Sequence, residues 1–301
     1  MIYYFSGAYN QKLKRELNID QLFSQFLERK LIIQTIEYKR EHPEYTAKIM
    51  VDSGAFTAYT KGVTLDVDDY ISFLNEYGDD LEVFVACDSV PDPANVDTSF
   101  ADKTWENYLY MYERLRPEIR HKLIPVFHYG EDFKHLVRML EYVHEDGSHL
   151  NYIGLAISLE GTTKVRINWA NECRKIIESS SNPNVKTHAF GVGVKSVLDY
   201  INVTSTDATS WVKRAAFGMI AVNDKSIVIS DVKEEQMDSK HLLQQSKAYQ
   251  EAILKVIEDR GFTLEELKTD TYARAKFNII DTLEWVGNLK KNVEQFKTTL
   301  W

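Results

Sequence analysis

The sequence predicts an α/β fold, a (β/α)8 barrel of the TIM type that carries a helical C-terminal extension. Short apolar runs alternate with longer helical patterns along most of the 301 residues, which is typical of βαβ units and a parallel sheet. Roughly eight such runs favour a closed barrel over an open sheet. Most of the runs end in polar or glycine-containing segments. The carboxyl ends of barrel strands share one face, where active sites are built.

β-Branched and aromatic residues dominate the runs that we expect to form strands. In chain order these runs are IYYFSGAY, LIIQTIEY, KIMVDSGAF, LEVFVACDSV, KLIPVFHYG, NYIGLAISLEG, VKTHAFGVG and INVTSTDATSW, followed by the β-rich segment FGMIAVNDKSIVIS. Apolar residues at helical spacing lie between them, as at Val67, Tyr70, Ile71 and Leu74. We expect helices at residues 19–29, 63–77, 101–116, 133–144, 169–179 and 195–201.

The chain contains no internal repeat, low-complexity tract or linker rich in proline or serine. We therefore expect one barrel over residues 1–240 and a helical extension over residues 241–301, with a break near Gly261. Apolar residues at helical spacing in the extension fit two roles, packing against the barrel or forming an interface.

Composition and charge narrow the classes of function. With 36 basic and 45 acidic residues, the net charge of -9 disfavours a surface covered with nucleic acid, although it permits a local basic groove. The two cysteines, Cys87 and Cys173, cannot build a disulfide framework and lack zinc-ribbon spacing, so we expect a reducing, cytoplasmic setting. The N-terminal segment has no charged leader before an apolar run, and no stretch approaches ~20 apolar residues. We expect neither a signal peptide nor a membrane partner.

Three aspartates at strand ends are candidate catalytic groups. Asp52 follows the apolar run 49–51, Asp88 follows 83–87, and Asp207 lies within STDAT. Carboxylates that converge on one mouth can supply a nucleophile and a general acid or base, or can bind a metal or the donor edge of a guanine-like base. Taken singly, each is more often a turn residue or a helix N-cap.

Two histidines and a glycine pair also lie at strand ends. His128 and His188 each close an apolar run, where a hydrogen-bonded structural histidine is the commoner outcome. The segment 191–193, Gly-Val-Gly, precedes an expected helix whose first amides can hold an anion. Lys195, just beyond, either adds to such a site or is simply solvated.

Taken in chain order, the segments at the strand ends resemble those of the tRNA-guanine transglycosylase family. DSGAF at 52–56 resembles the family's DSGG-aromatic signature, with alanine in place of the second glycine. VACDSVPDPAN resembles a strand that ends in a base-recognising aspartate, and HYG at 128–130 takes the place of a glutamine-glycine motif. GLAIS at 154–158 and AFGVG at 189–193 resemble two later segments, and Asp207 falls where the family's nucleophilic aspartate lies.

The resemblance implies a (β/α)8 barrel that exchanges a guanine in nucleic acid for a 7-deazaguanine. Asp207 then resembles the nucleophile that attacks the sugar C1′, and Asp52 the general acid/base. The implied base-binding residues are Asp88, Ser53, Phe56, Gly154, Leu155, Phe190 and His128, with Phe56 and Phe190 sandwiching the base. Core packing is the alternative for these two rings.

Departures from the family pattern bear on the substrate. Members that act on tRNA carry a zinc site of three cysteines and a histidine near the C-terminus, but this chain has no cysteine after Cys173. We therefore expect no zinc subdomain, no metal and no other cofactor. The chain is similar to compact relatives encoded by phages and DNA-modification clusters, which insert 7-deazaguanines such as 7-cyano-7-deazaguanine into DNA. If the chain is encoded by a phage, the expected location is the cytoplasm of the host. The nucleic-acid contacts expected are His188, Lys195, Lys213 and Arg214.

Several alternatives stay open from sequence. The same chemistry can act on tRNA. A metal-dependent barrel hydrolase can use His128, His188 and an aspartate, although no His-x-His pair is present. A catalytically silent homologue can bind nucleic acid or partner an active enzyme, and a homo-oligomer is compatible with the sequence.

Overall fold

The computed structural model describes residues 1–7, 10–89, 99–157, 162–230 and 240–299, without the side chains of Ser99 and of residues after Leu289. Within these residues, nine parallel strands form one sheet in the order β5-β4-β3-β2-β1-β9-β8-β7-β6. The strands are β1 Ile2–Ser6, β2 Gln21–Ser24, β3 Ile49–Asp52, β4 Val83–Val85, β5 Leu123–Ile124, β6 Val126–His128, β7 Tyr152–Ala156, β8 Lys186–Ala189 and β9 Ser205–Ala208.

The two ends of the sheet, β5 and β6, are separated by the single residue Pro125. Proline has no N–H to donate, which interrupts the strand at this point. Its carbonyl still accepts a hydrogen bond from Gly154 N at 2.8 Å. β5 pairs with β4 and β6 pairs with β7. The sheet is therefore nearly closed and barrel-like, consistent with the predicted TIM-type barrel.

Helices alternate with the strands along the chain. They are α1 Gln11–Glu16, α2 Gln25–Glu41, α3 Ala55–Thr60, α4 Val67–Tyr77, α5 Ser99–Arg114, α6 Pro117–Arg120, α7 Phe133–Glu141, α8 Thr163–Ser179, α9 Lys195–Leu198 and α10 Ser210–Ala216. An antiparallel hairpin follows, β10 Met219–Val222 and β11 Lys225–Val228, and then α11 Lys247–Asp259, α12 Leu264–Thr269 and α13 Thr271–Thr299. Of the helices described, none has the length and apolar character needed to cross a membrane.

The prediction for residues 19–38 is wrong in two places. The segment LIIQTIEY, expected as a strand, lies inside α2. Its buried residues Ile32, Thr35 and Ile36 fall at spacings of three and four, so they form one helical face against the core. The strand lies earlier, at β2, where the predicted helix began, and it pairs with both β1 and β3. A four-residue strand is too short to show a period of its own.

Alternate strand residues point into the barrel, as the two-residue period of a strand requires. One apolar cluster consists of such residues from seven strands: Tyr4, Leu22, Met50, Val83, Val85, Ile124, Val126 and Tyr152. Two residues further along their strands, Tyr4, Met50 and Val126 are followed by polar side chains. The same pleat that fills the barrel with apolar residues thus brings polar groups to its carboxyl-terminal mouth.

The C-terminal helices share a core with the β10–β11 hairpin. This second cluster includes Ile220 and Ile227 of the hairpin, Ile253 and Ile257 of α11, and Phe277 of α13. α13 also packs against α10 and β10. The boundary predicted at residue 240 places the hairpin in the barrel, whereas the apolar side chains of the hairpin pack with the helices of the extension. The division of the chain at this residue stays a prediction.

Candidate active site

The carboxyl ends of the strands surround a cavity of about 300 Å³. Its lining residues are Leu22, Asp52, Phe56, Asp88, Val126, His128, Ala156, Ile157, Phe190, Gly191 and Asp207. All three predicted aspartates are among them. A larger cavity of about 730 Å³ lies at the amino ends of the strands, lined by residues that include Glu82, Tyr152 and Lys186. We call it the lower cavity; it contains none of the predicted site residues.

Asp207 lies buried on β9 and accepts three hydrogen bonds. Ser6 Oγ donates to Oδ2 at 2.7 Å, and Gly191 N donates to Oδ1 at 2.8 Å. His188 Nε2 lies 3.3 Å from the same Oδ1. Burial acts to raise the pKa of Asp207, but the hydrogen bond and charge of His188, with the other two donors, lower it below its ordinary value. Asp207 is therefore held as a carboxylate.

Asp52 ends β3 and has the opposite character. Burial, together with the neighbouring carboxylate of Asp88, raises the pKa of Asp52 from 3.8 to about 7, although Gly54 N donates to its Oδ2 at 3.0 Å. Gly54 has a φ of 79°, and a Cβ at this position would lie 2.5 Å from Phe26 Cβ. The turn that presents Asp52 therefore requires glycine. An acid that titrates near neutrality can both give and take a proton.

Asp88 is tied to an imidazole that is itself held by a second carboxylate. His128 Nε2 lies 3.0 Å from Asp88 Oδ2, and His128 Nδ1 lies 3.0 Å from Glu131 Oε1. Burial acts to lower the pKa of His128, but the hydrogen bonds and charges of the two carboxylates raise it to about 9. At neutral pH the ring is thus an imidazolium that donates to both acids. Ser53 Oγ also donates to Asp88 Oδ1, at 3.3 Å.

Two aromatic rings border the cavity. Phe190 packs edge-on against His188 with ring centroids 4.5 Å apart. A Cβ on Gly154 would lie 2.5 Å from Phe190 Cε2, so glycine is what allows this ring to lie across β7. Phe56 on α3 is 63% exposed. An apolar side chain so exposed at the rim of a cavity is available to stack on a flat ligand.

Three predicted base-binding residues lie outside the lining. Ser53 is fully buried and acts through its hydrogen bond to Asp88. Gly154 lies beneath Phe190. Leu155 points away from the cavity into the core between sheet and helices, as the residue after an inward-facing position must.

The four residues predicted to contact nucleic acid differ in exposure and in their ion pairs. His188 has no exposed surface, so its position does not support contact with a phosphate. Lys195 Nζ pairs with Asp199 at 2.8 Å, and Arg214 pairs with Asp224 at 2.7 Å with a side chain only 16% exposed. Lys213 is exposed. Of this set, Lys213 is the side chain presented to solvent.

Sequence reasoning missed residues that hold the site together. Ser6 donates to Asp207, and Glu131 holds His128. Ser6 ends the first apolar run in the same way that the predicted residues end theirs, so the strand-end pattern could have found it. Glu131 follows His128 by three residues in a turn, where an acid is too common to be a signal.

The donor set does not fit a zinc site of the kind that the resemblance implies, because no cysteine follows Cys173 and both cysteines are buried. Among the described residues, no group of three or more His, Cys, Asp or Glu side chains is arranged to hold a metal ion. The geometry thus gives no support to the metal-dependent hydrolase.

No protein-family model matches the chain, and no curated protein matches it significantly.

Proposed function

We propose that the protein is a transglycosylase that exchanges guanine in DNA for a 7-deazaguanine through a covalent aspartyl–sugar intermediate. One observation carries this proposal. Two aspartates on the same small cavity are held in different protonation states, Asp207 with a lowered pKa and Asp52 with a pKa of about 7. Pairs of carboxyl groups separated in this way commonly divide the roles of nucleophile and acid/base.

The chemistry follows from these two states. The Asp207 carboxylate attacks C1′ of the target nucleotide, the bond from C1′ to the base nitrogen breaks, and Asp52 gives its proton to the departing base. In the second half, Asp52 takes a proton from the incoming base. The base nitrogen then attacks C1′, and the bond from C1′ to Asp207 breaks. Two displacements at C1′ retain its configuration.

Base recognition is supported by the groups that border the cavity. Asp88 presents a fixed carboxylate that can accept hydrogen bonds from the donor edge of a guanine-like base. Phe56 and Phe190 offer apolar ring surface for stacking. A volume of about 300 Å³ is at the lower end of small-molecule sites, which suits one base. A nucleotide in a duplex would have to be flipped out to reach it.

DNA rather than tRNA is favoured as the substrate because the chain lacks the cysteines that form the zinc module of the tRNA enzymes.

A base-exchange assay tests the proposal directly. The protein is incubated with radiolabelled guanine and, in separate reactions, with DNA and with unmodified tRNA. We expect label in DNA, none with Asp207→Ala, and full activity with Asp68→Asn, which changes an exposed aspartate on α4. Label in tRNA alone contradicts the choice of DNA, and label in neither contradicts the proposed function.

A further inference from the structure

A chain of buried hydrogen bonds runs from Asp207 into the barrel. His188 Nε2 lies 3.3 Å from Asp207 Oδ1, and His188 Nδ1 lies 2.6 Å from Ser205 Oγ. The same Ser205 oxygen lies 2.6 Å from the hydroxyl of Tyr152. Tyr152 lines the lower cavity, at the opposite end of the barrel from the candidate active site. The chain thus runs from the candidate active site to a residue that lines the lower cavity.

The strand register creates this chain. His188 of β8 pairs with Ser205 of β9 on one side and with Gly154 of β7 on the other. Tyr152 precedes Gly154 by two residues, so both face inward. Because Gly154 has no side chain, the Phe190 ring occupies the space above it and packs edge-on against the imidazole of His188.

The proton on His188 Nε2 can be assigned from chemistry. An ionised carboxylate only accepts hydrogen bonds, so His188 Nε2 carries a proton. The two hydroxyls can rotate and each can donate or accept. The chain is therefore complete whether Nδ1 donates to Ser205 or accepts from it. Burial raises the pKa of Tyr152 to about 12, which keeps the phenol protonated at neutral pH.

Asp207 supplies the negative charge beside His188. The titratable neighbours seen around it are Asp207 on β9, Tyr4 on β1, whose ring centroid lies 6.0 Å away, and Tyr152 through Ser205. Burial raises the pKa of both tyrosines, so Asp207 is the ionised member of this group. The acceptor that His188 Nε2 faces is therefore an anion while Asp207 is a carboxylate, and it loses its negative charge when Asp207 forms an ester.

We propose that His188, Ser205 and Tyr152 form a proton relay that couples the charge of His188 to the state of Asp207, an inference that rests on the proposed covalent function. When the bond from Asp207 to C1′ forms, His188 releases its Nδ1 proton to Ser205. Ser205 passes its own proton to Tyr152, and Tyr152 gives its proton to solvent in the lower cavity. When the bond to Asp207 breaks, the same steps run in reverse, and no proton passes through the base pocket.

The coupling can be measured without any nucleic acid. Nitrogen-15 NMR of the His188 ring, assigned with a His188→Asn variant, is compared at pH 7 between the unaltered protein and Asp207→Asn. The substitution removes the negative charge but keeps the shape of the side chain. We expect both ring nitrogens to be protonated in the unaltered protein and only one in Asp207→Asn. The same protonation in both proteins overturns the relay.

Kinetics test the path itself. Tyr152→Phe and Ser205→Ala are expected to slow formation of the covalent adduct by about tenfold or more, within the range of proton-transfer contributions. Tyr4→Phe is the matched control, since it removes the hydroxyl of another interior tyrosine beside His188 that has no hydrogen-bond partner in the described part of the chain. Equal rates for Tyr152→Phe and Tyr4→Phe overturn the path. If no adduct forms with any nucleic acid, the proposed function fails, and the NMR comparison alone decides whether His188 and Asp207 are coupled.

Discussion

Replacing Asp52 by asparagine is expected to stabilise the protein at alkaline pH while abolishing its activity. The folded structure holds the Asp52 proton up to about pH 7, whereas the unfolded chain releases it near 3.8. Between these values the folded state binds more protons, so the free energy of unfolding falls as the pH rises. Asparagine has no proton to lose and can keep the hydrogen bond from Gly54, so Asp52→Asn does not suffer this loss.

The size of the effect follows from the pKa. A rise from 3.8 to about 7 corresponds to about 4 kcal/mol, at about 1.4 kcal/mol for each unit. Asp52 is partly exposed, and solvent screens part of this cost, so we expect the variant to be more stable by about 2–4 kcal/mol at pH 8. Well below pH 3.8 the carboxyl is protonated in both states, and at pH 4 most of the difference has already disappeared.

Urea unfolding at pH 4 and pH 8 measures this difference, with Asp68→Asn as the control for loss of an exposed carboxylate. Stability gained by Asp52→Asn at pH 8 but not at pH 4 supports a buried acid that titrates near neutrality. A variant that is destabilised equally at both values, or unchanged at both, refutes the reasoning and with it the acid/base role that depends on that pKa.

Three further predictions concern the surroundings of the site and the C-terminal helices. Gly154→Ala would displace Phe190 and is expected to raise the KM for the free base by about tenfold, while kcat changes less; an unchanged KM contradicts the close approach. Glu131→Gln removes one of the two carboxylates on His128, so the pKa of His128 should fall from about 9; an NMR titration midpoint still near 9 contradicts this pairing. Asp281→Ala leaves two amides of the β10–β11 turn without their acceptor and removes one of the two carboxylates that pair with Arg260, so it is expected to cost about 2–4 kcal/mol in urea unfolding; a cost under about 0.5 kcal/mol contradicts the contact.

The positions of the site residues along the strands could be predicted because the end of an apolar run marks the mouth of a parallel barrel. Asp52, Asp88, His128 and Asp207 were identified in this way, and the structure places them around one cavity. Their protonation states could not be predicted. These depend on which side chains meet across strands far apart in sequence, such as Ser6 and Asp207.

Two other limits of sequence pattern have physical causes. A strand as short as β2 has no period of its own, and the apolar run after it satisfies a helix as well as a strand. Charge alone does not show which basic residues are free, because Arg214 and Lys195 are paired with nearby aspartates. The sequence also does not show whether the side chain of His188 faces into the barrel or away from it. That depends on the register of the strand, which is set by its pairing with neighbouring strands.

The central measurement is mass spectrometry of a covalent complex between the protein and DNA. The protein is incubated with guanine-containing DNA without an incoming base, quenched in acid and digested. We expect a peptide that contains Asp207 and carries a DNA sugar from which the guanine is missing. The adduct should be lost in Asp207→Asn and retained in Asp68→Asn. No adduct with DNA, or an adduct on a residue other than Asp207, would contradict the role of Asp207 as the nucleophile.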